Sequence, residues 1–331
     1  MLSPLNGEYF ELSLGFENVT IKQKKCIVRS RSMVDTTSEV IKGVFLKAPM
    51  IASCMNTVTN AAFCNLLHLY GALGILHRAF TNDEDYVDEC KRLNGEWRAC
   101  AIGISNKDLE LANKLVRAGA NILVYDIAHG YSDHAIDFGR TIKKKFPDVK
   151  LVLGNTNNVG LLQETYDFVD GLRLGVSGGS VCETSNTAGC KEKQFSIVWK
   201  HKELSKKYGV PMLSDGAIRE PSDFVKSIAA GSSGIIAGRI FARCPESAAE
   251  IEIIDGQYKK VYSGMAARAT QERWLGKVKN GCPEGKTVHL DIGESIDKLI
   301  ERYIGALRSG ISYAGGKDII SFQDNVEFVR I

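Results

Sequence analysis

Short apolar runs alternate with longer stretches whose apolar residues recur at helical spacing. The runs are Pro49–Ser53, Leu73–His77, Ala99–Ile104, Asn121–Ile127, Lys150–Gly154, Gly171–Val176, Val210–Ser214 and Gly234–Gly238. Most of their residues are aliphatic or β-branched, and Gly, Asn, Asp or Pro bounds them. A strand covered on both faces has no polar side to show, so it reads as a continuous apolar run. Between the runs lie helix candidates at Asn60–Tyr70, Lys107–Ala118, Ser132–Lys145, Ser196–Tyr208 and Ser222–Ala230. Eight strands alternating with helices predict an α/β protein with a closed (β/α)8 TIM barrel; an open doubly wound sheet is the competing arrangement.

The barrel strands would fill about 49–238. Residues 1–47 then form an N-terminal extension. Residues 240–331 would supply a hairpin over Ile251–Tyr262 turning at Asp255-Gly256, a Gly- and Lys-rich flap at 276–287, and a last helix near Ser295–Arg308. No Pro/Ser-rich linker interrupts the chain, so 1–331 reads as a single catalytic barrel domain.

Composition narrows the function. At 331 residues, with 44% apolar and 24% charged residues, there is ample material for such a core. The net charge of +3 and the short runs Lys143–Lys145 and Lys206-Lys207 suit solvated helix faces, so no nucleic-acid partner is expected. Nine scattered cysteines form no C-x-x-C pair, which argues against zinc and against a thioredoxin-type site. Without a signal peptide, the thiols are expected to be reduced and the protein cytoplasmic. The apolar runs are too short to span a membrane.

In a (β/α)8 barrel the chemistry sits on the loops after the strands. The sixth run is followed by Gly175-Val-Ser-Gly-Gly-Ser180-Val-Cys182-Glu-Thr184. Its glycines let backbone N–H groups approach an anion, Ser180 adds a hydroxyl donor, and Cys182 is placed as a nucleophile. A packed, inert thiol in a Gly-rich turn is the alternative. The seventh and eighth runs end in Ser214-Asp215-Gly216-Ala217 and Gly238-Arg239, the loops where barrels commonly bind phosphate. Asp215 could accept from ribose hydroxyls or merely cap a helix, and Arg239 could meet a phosphate or a surface carboxylate. The fourth run ends in Asp126-Ile-Ala128-His129-Gly130, where Asp126 could face a ribose or a nicotinamide. His129 and His134 lack the i, i+4 spacing of a helical metal pair, so no metal is expected.

Taken in order, Gly178-Gly179-Ser180-Val181-Cys182-Glu183-Thr184, Ser214-Asp215-Gly216, Tyr262-Ser263-Gly264-Met265 and Glu284-Gly285-Lys286-Thr287 resemble the signature stretches of the IMP dehydrogenase/GMP reductase family. The similarity runs from about Leu14 to Ile331. Only Thr81–Glu96 lies between the second and third strands, too little for the inserted regulatory pair common in the dehydrogenases. The Asp126–His134 loop, Glu284–Val288 and Gly305–Tyr313 resemble the reductases. Arg273-Trp274 stands where a dehydrogenase flap would carry Arg-Tyr.

The resemblance implies attack by Cys182 on carbon 2 of GMP, loss of ammonia, and hydride transfer from NADPH, with NADH also admissible. Thr184 and Glu284 would move protons. Asp215 would hold ribose, while Ser180, Gly216, Gly238, Arg239 and Tyr262 would serve the phosphate. Gly264 and Met265 would meet the purine. Asp126, Ala128, His129, Gly130 and Arg78 would lie on the cofactor side. It also implies a homotetramer and leaves room for a monovalent cation. A dehydrogenase using NAD and water, and a non-catalytic purine-nucleotide-binding protein, remain as alternatives.

Several positions depart from the family pattern. Ser177-Gly178-Gly179 replaces Gly-Pro-Gly, and Ala217 replaces the second Gly of Asp-Gly-Gly. Arg239 follows Gly238 where Gly-Gly is usual, Asn56 stands for Asp, Arg78 for Lys, and Ala266-Ala267 for Ser-Ser.

Overall fold

The eight apolar runs close on themselves. A computed structural model describes residues 2–5, 8–278 and 282–331. Its barrel strands are Met50–Ala52, Leu73–Leu76, Ala99–Ile102, Ile122–Tyr125, Lys150–Thr156, Gly171–Leu174, Met212–Asp215 and Gly234–Ala237. Each pairs in parallel with its neighbours, and the eighth returns to the first through Ile235↔Met50. Closure leaves no open edge, and it settles the choice against an open sheet.

Alternation along these strands divides the core in two. Ile51, Ile75, Ala101, Val124, Val152, Leu213 and Ile236 point into the barrel. Their neighbours, such as Met50, Leu76, Leu123, Leu172 and Ile235, pack outward against the helices. Both sets are fully or almost fully buried, which is why the strands show no polar alternation in sequence.

Helices Ala61–Leu69, Asn106–Arg117, Asp133–Lys145, Gln194–Tyr208 and Pro221–Ala229 cover the barrel. The side chains of Asn60, Ser105 and Ser132 accept N–H bonds from the first turns of the first three, fixing where each begins. Asp83–Lys91 forms a further helix that apolar spacing does not announce: only Tyr86 and Cys90 are buried, and Asn82 provides the cap.

The N-terminal extension is more than a leader to the barrel. Its hairpin, Ser38–Ile41 with Val44–Leu46, inserts Val40, Ile41, Val44 and Leu46 into the inner core, and Lys42 N–H donates to the Asp170 carbonyl. It plugs the end of the barrel where the strands begin, leaving the other end for ligands. After the barrel, Ile251–Ile254 and Gln257–Ser263 make the expected hairpin, and Thr287–Asp291 adds a third antiparallel strand. The flap expected at 276–287 includes residues 279–281, outside the described residues. The last long helix, Ile296–Tyr313, runs past its expected end, and Phe328–Arg330 returns to pair with Val19–Ile21. Among the described residues, no helix is long and apolar enough to cross a membrane.

Candidate active site

A cavity of ≈ 450 Å³ opens where the barrel strands end, within the roughly 300–1,000 Å³ usual for small-molecule sites. Two walls and one recess supply its chemistry.

The first wall carries the thiol. Cys182 is half-buried on the loop after the sixth strand, and its Sγ lies 3.2 Å from Thr184 Oγ1. The Thr184 hydroxyl donates to Glu284 Oε2 at 2.7 Å. That leaves the threonine oxygen to accept from the thiol, so a proton has a continuous route from sulfur to carboxylate. Glu284 arrives from far along the chain because the backbones zip together. Glu183 N–H donates to the Glu284 carbonyl at 2.7 Å and Lys286 N–H to the Val181 carbonyl at 3.0 Å, with Cys182 opposite Gly285. Gly264 N–H bonds the Lys286 carbonyl, which places Gly264 and Met265 on the cavity beside the thiol loop.

The second wall carries charge. Asp215, ending the seventh strand, accepts from Arg173 Nε at 2.6 Å and Asn155 Nδ2 at 2.7 Å, both on one oxygen. Asp126, just beyond the fourth strand, accepts from Arg78 Nε at 3.1 Å and lies 3.9 Å from Arg173. Burial opposes the charge on Arg173, but the neighbouring Asp215 and Asp126 carboxylates outweigh it and raise its pKa. Burial likewise pushes the Cys54 thiol up to about 12, so it remains a donor to Asp126. The Arg78 guanidinium also bonds the Asp126 carbonyl and lies 5.0 Å from the Trp274 ring centroid. His77, next to it, is buried and stacked on Phe80 at 4.4 Å; burial lowers its pKa to about 4.

The recess is small, ≈ 30 Å³, and lies among Gly178, Ser180, Gly216, Gly238, Arg239 and Tyr262. Gly216 adopts φ +86°, and a Cβ there would come within 2.7 Å of the Gly178 backbone. A Cβ on Gly238 would lie 2.3 Å from the Tyr262 hydroxyl. Ser180 Oγ is buried with no partner in the protein, so the recess offers an unused donor. Burial raises the Tyr262 phenol above its ordinary pKa, keeping it protonated. Ser177 and Ala217, both at positions where the family pattern has glycine, keep left-handed backbone at φ +68° and +59°.

Most of the residues singled out from sequence meet here. Cys182, Thr184, Glu284, Asp215, Gly216, Gly238, Tyr262, Gly264, Met265, Asp126, Ala128 and Arg78 line the main cavity, and Ser180 and Arg239 the recess. His129 and Gly130 do not line it. His129 is exposed, while Gly130 is buried against Gly154, where a Cβ would meet backbone at 2.6 Å. Sequence reasoning passed over Arg173, Asn155 and Cys54. Arg173 carried a usable signal, a lone charge inside an otherwise apolar strand. Among the described residues, no group of three or more His, Cys, Asp or Glu side chains is placed to hold a metal ion.

Barrel and site together define a (β/α)8 protein with a cysteine on its sixth strand-to-helix loop. The chain belongs to the IMP dehydrogenase/GMP reductase family: the sequence profile described as IMP dehydrogenase / GMP reductase domain matches residues 13–331. Relatives carry both names. The inosine-5'-monophosphate dehydrogenase of Nitrosopumilus maritimus is 32% identical over 272 residues, covering 78% of this chain and 56% of that protein. The GMP reductase of Leishmania major is 35% identical over 242 residues, covering 70% and 49%. The chain thus spans about half the length of each. The inosine-5'-monophosphate dehydrogenase of Borreliella burgdorferi is 27% identical over 383 aligned positions, covering 96% and 94%.

Proposed function

We propose that this chain is a GMP reductase, converting GMP to IMP and ammonia with NADPH through a covalent bond to Cys182, and that residues 1–331 act as one catalytic barrel unit. The reading is carried by the Cys182–Thr184–Glu284 arrangement, a nucleophile joined to a carboxylate through one hydroxyl on the wall of a nucleotide-sized cavity.

The Cys182 thiolate adds to the electron-poor carbon 2 of the guanine ring. Its amino group leaves as ammonia, taking a proton passed from Glu284 through Thr184. Bound nicotinamide supplies the hydride that reaches the same carbon. Departure of the thiolate releases IMP. Splitting one displacement into two steps lowers each barrier. The unpartnered Ser180 hydroxyl and the glycine-cleared recess suit the phosphate, and the free oxygen of Asp215 suits a ribose hydroxyl. Asp126, Ala128 and Arg78 leave space on the cofactor side.

A dehydrogenase needs water activated beside the thiol. Here Arg273 is turned to Glu250 at 3.3 Å, and Trp274 is engaged by Arg78. Those contacts favour the reductase over the dehydrogenase that the Nitrosopumilus relative is named for. Incubation with GMP and NADPH should consume the reduced-nicotinamide absorbance and yield IMP and ammonia in equal amounts. Growth of that absorbance with IMP and NAD, and no reaction of GMP with NADPH, would overturn the proposal. The assembly we expect is a homotetramer, and sedimentation as a monomer at assay concentration would contradict it.

A further inference from the structure

Arg173 is the only ionised side chain on its strand, yet it reaches three other strands of the barrel. From the sixth strand its Nε bonds Asp215 on the seventh. Its Nη1 donates to the Tyr125 carbonyl on the fourth at 3.1 Å and lies 3.9 Å from Asp126 just beyond it. The same nitrogen is 3.5 Å from Cys54, which follows the first strand. The residue is 7% exposed and borders the main cavity.

Asp215 adjoins the recess, through the Gly216 turn, whereas Asp126 adjoins Ala128 and Arg78. The two carboxylates belong to different halves of the cavity, and one rigid fork bonds the first and holds its charge 3.9 Å from the second. A planar guanidinium presents its donors at fixed angles, so moving one partner tilts what the other receives. A lysine supplies the same charge from a single point and cannot bond Asp215, the Tyr125 carbonyl and Cys54 together.

We propose that Arg173 is a positioning residue that sets the nucleotide-binding carboxylate Asp215 and the cofactor-side carboxylate Asp126 in one frame, so that binding at the two halves of the cavity depends on a single side chain. The inference rests on the function proposed above and assigns Arg173 no bond to either substrate.

Its test is a KM-against-kcat split in the full chain. Asp215→Asn should raise KM for GMP more than KM for NADPH, and Asp126→Asn the reverse. Arg173→Lys should raise both KM values by about tenfold, the loss expected when a charge-assisted bond is misaligned, with kcat changed less than about threefold. Arg173→Lys keeps the charge, so it carries the test even where Arg173→Met fails to fold. A rise in only one KM, a fall in kcat alone, or lower thermal stability with both KM values unchanged would overturn the inference. If the wild-type chain instead turns over IMP with NAD, the proposed reaction fails while the same split, read on that pair, still decides the role of Arg173. A wild-type chain active on neither pair removes both.

Discussion

The thiol wall and the carboxylate wall of the cavity are built by opposite means. The thiol wall is made of loops, and its two halves lie about a hundred residues apart in sequence, joined by backbone bonds and one threonine hydroxyl. The carboxylate wall grows from strand ends and is tied by the buried Arg173 to carboxylates that are only partly exposed. Reactivity is thereby placed where the chain can be changed without unfolding it. Orientation is placed where change reaches the core.

Removing the nucleophile tests that contrast most severely. Cys182→Ala should lower turnover at least about 10⁴-fold, as loss of a covalent nucleophile does in other enzymes. Stability should move by no more than about 0.5 kcal/mol, since a half-buried thiol on a loop loses little packing. Steady-state assays and urea melts read the two effects separately. Turnover that survived the change would end the covalent reading outright.

The other wall should respond in reverse. Arg173→Met takes a buried cation from two partly buried carboxylates, Asp215 and Asp126, and should cost about 2–3 kcal/mol of stability. Urea unfolding measures it; a loss below about 1 kcal/mol would mean that water or Arg78 compensates, and the contrast between the walls would dissolve.

Acid should find the carboxylate side as well. His77 has a folded-state pKa of about 4, lowered from an ordinary 6.5 by burial, so the unfolded chain binds its proton more readily. The neutral histidine therefore favours the fold fully above pH 6.5, and that contribution disappears as pH falls to 4. The shift corresponds to about 3 kcal/mol. His77→Phe keeps the aromatic stack on Phe80 and removes the titration. Stability measured across that window should fall less steeply for the variant than for the wild type; parallel curves would refute the assignment.

The barrel was legible because its strands are buried on both faces, which leaves short, mainly apolar runs such as Asn121–Ile127 and Gly234–Gly238 in the sequence. Helix starts were legible at the caps Asn60 and Ser132, whereas the helix expected from Lys107 begins at Asn106 behind the Ser105 cap. The plug made by Val40–Leu46 was not, because a short hairpin inserted into another element's core has no periodicity of its own. For the site, Cys182, Thr184 and Glu284 stood out through motif resemblance, while their meeting depends on backbone pairing between 181–183 and 284–286 that spacing cannot reveal. His129 shows the opposite limit: a polar residue beside a strand end can still point to solvent.

The smallest effect we expect concerns the turn that joins the carboxylate wall to the recess. Ala217 holds φ +59°, a left-handed conformation that costs a residue with a Cβ about 1–2 kcal/mol. The backbone fixes it: Ala217 N–H donates to the Gly178 carbonyl at 3.0 Å, and Gly216 N–H to the Ile236 carbonyl at 3.0 Å. Glycine would remove the strain but lose about 0.5–1 kcal/mol more chain entropy on folding. Ala217→Gly should therefore stabilise by about 0.5–1 kcal/mol and leave KM for GMP within about twofold, since the turn already has the shape a glycine would give it. Thermal melts and GMP titration of the same variant decide this. A large fall in KM for GMP would show that Ala217 distorts the recess, and a loss of stability that the methyl group packs more than it strains.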